Sequence, residues 1–170
     1  MKRTVLFLTL AFLAAIGAKA QTNTHVYQQI YDAAYKVATD TREDAAVRKV
    51  ASFKVDAISY LKTRTLIALS DTARQYTNTE VAHLSNQLDS MAYYMYDYVN
   101  LFTKEYQRAQ TIDRARVLKI FREASINHPL YNDPDRELVL SYYNREDYLT
   151  QFSLDTDWVA ALADVRRKLR

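Results

Sequence analysis

Apolar residues recur at helical spacing along most of this chain, and the longest regular run lies between residues 81 and 102. Val81, Leu84, Leu88, Met91, Met95, Tyr98 and Phe102 follow one another at alternating steps of three and four. That spacing puts all seven on one stripe of a helix and has none of the alternation of a strand. At 1.5 Å per residue the segment is roughly 33 Å long, about the width of a small domain. A lone helix exposing such a stripe is unstable in water, so other helices must cover it.

The flanking segments supply candidates. Val26, Tyr27, Ile30, Tyr31, Ala34, Val37 and Ala38 share one side of a helix predicted over residues 25–38. Thr41 has the place of an N-cap, with Asp44 three residues on, and opens a second helix over 42–69. Its inward face comprises Val47, Val50, Ala51, Phe53, Ala57, Ile58, Leu61, Ala68 and Leu69. Thr77 and Glu80 form a capping box before the third helix, over 80–108. Short connections between long helices make them antiparallel neighbours.

Beyond residue 108 the pattern changes phase. Ile112, Val117, Leu118, Ile120, Phe121 and Ala124 form a set out of register with the long stripe, which places a break near Thr111 and a further segment over 112–126. Pro129 stops that segment, because a residue preceding proline avoids helical backbone. Asp133 and Pro134 read as N-cap and first residue of a short helix over 135–143. Asp155 is the expected cap of a last helix over 156–169, with Trp158, Val159, Leu162, Val165 and Leu169 on its apolar face. The predicted fold is all-α: an irregular antiparallel bundle of three long helices with shorter C-terminal helices packed across it.

Composition sharpens this reading at the N-terminus. Lys2 and Arg3, an apolar run from Val5 to Ile16, and Ala18-Lys19-Ala20 have the form of a cleaved signal peptide over residues 1–20. The run is shorter than the roughly 20 residues of a membrane span. Residues 21–170 are then one exported domain without a membrane span, periplasmic or secreted. The only glycine is Gly17, so Asn-Gly hairpins are unavailable downstream, which again favours helices. There is no cysteine, which suits a bacterial periplasm better than a disulfide-knit extracellular module. Lys2, Arg3 and Lys19 account for the whole net charge of +3. The remainder is balanced and carries no nucleic-acid signature.

Candidate chemistry is sparse. Glu80 and His83 have the Glu-x-x-His step of di-iron bundle proteins, but the second motif and the additional glutamates are missing. His128 with Asp133 and Asp135 is a conceivable acid–base group, although both aspartates have simpler work at a helix start. No nucleophile is singled out and no glycine loop is available for phosphate. The basic end, Arg166, Arg167, Lys168 and Arg170, complements a helix dipole, and Asp164 stands four residues before Lys168. No cofactor, metal site or enzymatic activity is therefore expected.

Tyrosine is the unusual component, with fourteen in the chain and four among residues 93–98. Successive helical residues turn by about 100°, so these four cannot share a face. Tyr94 and Tyr98 join the stripe, whereas Tyr93 and Tyr96 point elsewhere. Tyr93, Tyr96 and Asn100 are the candidate binding residues. The expected function is a protein-interaction module with a partner in the cell envelope; the alternative is a small-ligand or glycan binder using the tyrosine cluster. A concave surface at these residues favours a ligand and a flat one a protein. Intact-mass measurement of the exported protein should give a chain starting at Gln21; retention of Met1 in a membrane fraction would rule out cleavage.

Overall fold

The computed structural model describes residues 24–126 and 152–170. Within them lie five helices and no strand: α1 (Val26–Thr39), α2 (Ala45–Leu69), α3 (Asn78–Arg108), α4 (Thr111–Ile126) and α5 (Trp158–Lys168). The all-α class is therefore present, and no helix among the described residues is long and apolar enough to cross a membrane. Residues 1–20, where a leader is expected, His128, Asp133 and Asp135, and the helix expected over 135–143 lie outside the described residues.

Local hydrogen bonding explains where the helices start. The Thr77 hydroxyl accepts from the Glu80 N–H, and the Glu80 carboxylate accepts from the Thr77 N–H at 2.8 Å, so the expected capping box is formed. The second helix begins later than predicted. Asp44, not Thr41, caps it by accepting from the Ala46 N–H at 2.8 Å. Upstream, Asp40 accepts from the Arg42 backbone at 3.0 Å and from its guanidinium at 2.9 and 2.7 Å, which holds Arg42 in a turn instead of a first helical residue.

The last helix also starts late. Asp157 caps it through the Ala160 N–H at 3.0 Å, whereas the predicted cap, Asp155, forms an ion pair with Arg64 of α2. Thr156 is buried, its hydroxyl donating to the Ser153 carbonyl at 2.7 Å. A tertiary contact has drawn these two residues away from the helix start. The break near Thr111 is where the change of phase puts it: α3 ends at Arg108, Ala109 is extended with ψ 136°, and α4 begins at Thr111.

The helices pack around α3, which contacts each of the other four. Facing positions descend along α3 as α2 advances. Lys54 bonds to Asn100, and further along α2 Leu61 and Thr65 share a groove with Leu84 and Leu88. Of the seven stripe residues, Leu88, Met95, Tyr98 and Phe102 are buried and Val81, Leu84 and Met91 are partly buried. The fully buried aromatics Tyr98, Phe102, Phe121, Phe152 and Trp158 concentrate on the C-terminal half of the stripe. The Tyr98 ring stands edge-on to Phe121, Phe152 and Trp158 at 5.2, 5.5 and 5.4 Å, a favoured arrangement for aromatic quadrupoles.

Several positions assigned to inward faces are exposed. Ile112 is 84% exposed because α4 buries Val117, Phe121 and Ala124, one i, i+4, i+7 row that excludes it. Val26, Val47, Ala68 and Val159 are also exposed, each at the margin of its helix's apolar face. The seam itself is testable. Leu88→Ala should lower stability by about 2–5 kcal/mol in urea unfolding, and a loss below about half a kcal/mol would mean that Leu88 is not a core residue.

Candidate functional site

On α3, Tyr93, Tyr96 and Asn100 stand at i, i+3 and i+7, which gives them one broad face of the helix. Tyr93 is 53% exposed and Tyr96 40% exposed. Their surroundings differ. Tyr93 leans on its neighbour Tyr94, the rings 5.9 Å apart at 73°. Tyr96 and Asn100 instead meet Lys54 of α2. The lysine Nζ donates to the Asn100 Oδ1 at 2.7 Å and lies 4.7 Å from the centre of the Tyr96 ring. Asp97, between them in sequence, faces α5 and accepts from Arg166 at 2.6 Å. The structure thus brings Tyr96 and Asn100 together through a cation and leaves Tyr93 apart.

Next to this group, α1, α2 and α3 enclose a cleft of about 290 Å³. Its walls are mainly apolar: Ile30, Ala34 and Val37 from α1 and Val47 and Val50 from α2 are aliphatic, and α3 adds Phe102 and Tyr106 with Thr103 and Gln107 as polar groups. Lys54 is the last residue that α2 contributes and Tyr96 the first that α3 contributes, so the two mark one end of the cleft. The stretch of α1 from Ile30 to Val37 makes a wall roughly 10 Å long.

Lys54 gives the cleft its chemistry. Burial among apolar side chains penalises the ammonium and pushes its pKa down from 10.5 to about 8. Among the described residues no carboxylate forms an ion pair with it. Among the described residues the cation meets an amide oxygen and the negative face of an aromatic ring.

Lys54 is the residue that the sequence reading missed. It falls at the centre of the row Val47, Ala51, Lys54, Ile58, Leu61, again at alternating steps of four and three. A lysine in phase with an apolar row is the available signal, since a solvated lysine belongs on the opposite face.

The other candidates have structural partners. Glu80 serves the capping box and receives Arg74 at 2.9 Å. Together these bonds, led by the Thr77 backbone N–H, lower its pKa to about 2. His83 is exposed and lines a separate groove between α2 and α3. Arg166 pairs with Asp97, Arg167 with Asp164, and Lys168 with Asp164 at 2.9 Å, so the basic end is tied into the surface. Among the described residues no three acidic or histidine side chains gather as a metal site. No family model, curated protein or solved structure matches this chain.

Burial of Lys54 has a stability consequence whose sign is fixed. Between pH 8 and 10.5 the unfolded chain still holds a proton that the folded chain has released, so the contribution of Lys54 to stability improves as pH rises through that window. Lys54→Met should therefore be more stable than the parent by about 1–3 kcal/mol at pH 7. That advantage should shrink between pH 8 and 10.5. A constant difference across this range in urea unfolding would show that the ammonium is not destabilised by burial.

Proposed function

We propose that this chain is an exported protein of the bacterial envelope that binds a small, mainly apolar ligand in the cleft between α1, α2 and α3. The observation that carries this reading is a concave apolar cleft with one partly buried cation at its end. Its volume lies near the lower limit of about 300–1,000 Å³ common for small-molecule pockets. In the same reading the three long helices form an irregular antiparallel bundle, residues 1–20 are a cleaved leader, and residues 21–170 are a single non-enzymatic domain.

A glycan is a poorer occupant than an apolar molecule. Sugar hydroxyls entering a mainly apolar cleft lose water and find few polar partners, Thr103, Tyr106 and Gln107 besides Lys54, and each unsatisfied group costs free energy. Tyr96 and Asn100 act in this reading through Lys54, whose ammonium they hold. Tyr93 supports the second reading, a protein-interaction surface, because its exposed ring lies outside the cleft and beside Tyr94.

The neutral dye N-phenylnaphthylamine, which fluoresces in apolar surroundings, tests the cleft. One saturable site is expected. Val47→Trp fills the cleft from a position already 42% exposed, so stability should change by no more than about half a kcal/mol while the dye signal disappears. Tyr93→Ser should leave dye binding intact. Undiminished dye binding by a folded Val47→Trp protein would overturn the reading.

A further inference from the structure

We propose that the cleft selects a single-chain carboxylate amphiphile, a free medium-chain fatty acid, with its carboxylate on Lys54 Nζ and its chain along Ile30, Ala34, Val37 and Val50. This rests on the ligand-binding reading above and names the class of ligand.

Charge complementarity points to the anion. Lys54 Nζ donates to Asn100 and faces the Tyr96 ring, both neutral groups, and no carboxylate among the described residues pairs with it. An ammonium has three donors, and two such partners leave one direction for a further acceptor. A carboxylate there makes a charge-assisted hydrogen bond and offsets the burial of the cation. A neutral apolar ligand does the reverse, since it removes water from Lys54 and returns no charge.

The geometry of the walls selects the remainder of the ligand. Lys54 and Tyr96 lie at one end of the cleft, and the aliphatic side chains of α1 and α2 continue from them in one direction. An end-placed cation beside a mainly apolar wall matches a molecule with one terminal charge and one chain. A volume of about 290 Å³ is small for a two-chain lipid and smaller still for an amphipathic helix about 10 Å across. Tyr96 contributes its ring face to the cation, which leaves the head group to bind through Lys54 alone. That favours a monoanion over a phosphate that needs several donors.

Titration calorimetry on the exported protein with decanoate, decanol and decyltrimethylammonium separates charge from chain. Decanoate should bind at least about tenfold more tightly than decanol, the scale of one charge-assisted hydrogen bond. The cationic homologue should bind least. Lys54→Met, which preserves an apolar side chain of similar length, should reduce decanoate to the affinity of decanol and leave decanol unchanged or improved. Lys54→Arg should retain a preference for decanoate. Equal affinity of the parent protein for decanoate and decanol would overturn the proposal, as would a preference for decanoate that survives Lys54→Met. Binding of the neutral dye without any binding of decanoate would also overturn it while the cleft reading stands. Failure of the dye and decanoate alike would remove both.

Discussion

Tyr98 is the point at which the separate helices become one structure. Its ring lies on the buried stripe of α3, packed against Phe121 of α4, Trp158 of α5 and Phe152 just before α5. Its hydroxyl, fully enclosed, donates to the backbone carbonyl of Phe121. A buried hydroxyl without a partner would cost more than an ordinary hydrogen bond contributes, so this bond also fixes how α4 approaches α3. The break at Ala109 allows that approach, because it lets the chain turn back and present Phe121 to the helix it has just left. Arg166 then ties α5 to Asp97, the residue immediately before Tyr98.

The half of the molecule built from α1, α2 and the outer faces of α3 is organised differently. Phe53 of α2 still reaches the aromatic cluster, edge-on to Phe152 and Trp158, but between α1 and α2 the packing leaves a mainly apolar cleft, with a lysine where an apolar residue would pack better. Two opposing effects meet at Lys54. Burial disfavours its charge, while Asn100 and the Tyr96 ring return part of what water would have supplied. The position is consequently less stable than an apolar side chain would make it.

The helical periods made the fold class legible, and the Thr77–Glu80 box made one helix start legible to within a few residues. Two other starts were misplaced for a shared reason. Asp40 and Asp155 each engage an arginine, and those ion pairs decide which neighbouring residue is left to cap. The partner of Asp155 lies far away in the sequence, so no local rule identifies it. The candidate site was legible in part. Tyr96 and Asn100 meet at Lys54, but periodicity assigns side chains to faces and not to neighbours, and it could not separate Tyr93 from them. Lys54 carried a detectable signal as the one charged residue in an apolar row of α2.

Asp89 of α3 has a role that reaches across the chain to α1. Its carboxylate accepts from the Tyr27 backbone N–H at 3.0 Å and pairs with the His25 ring at the same distance. One orphan donor at the start of α1, the Tyr27 N–H, is thus satisfied by a residue 62 positions away, while His25, in the N-cap place, makes no side-chain cap of its own. A helix of 14 residues is marginal in isolation. Because α1 precedes α3 in the sequence, its start is secured only once Asp89 has been made. The start of α1 is therefore a tertiary feature, completed by a side chain of α3 and not by its own neighbours.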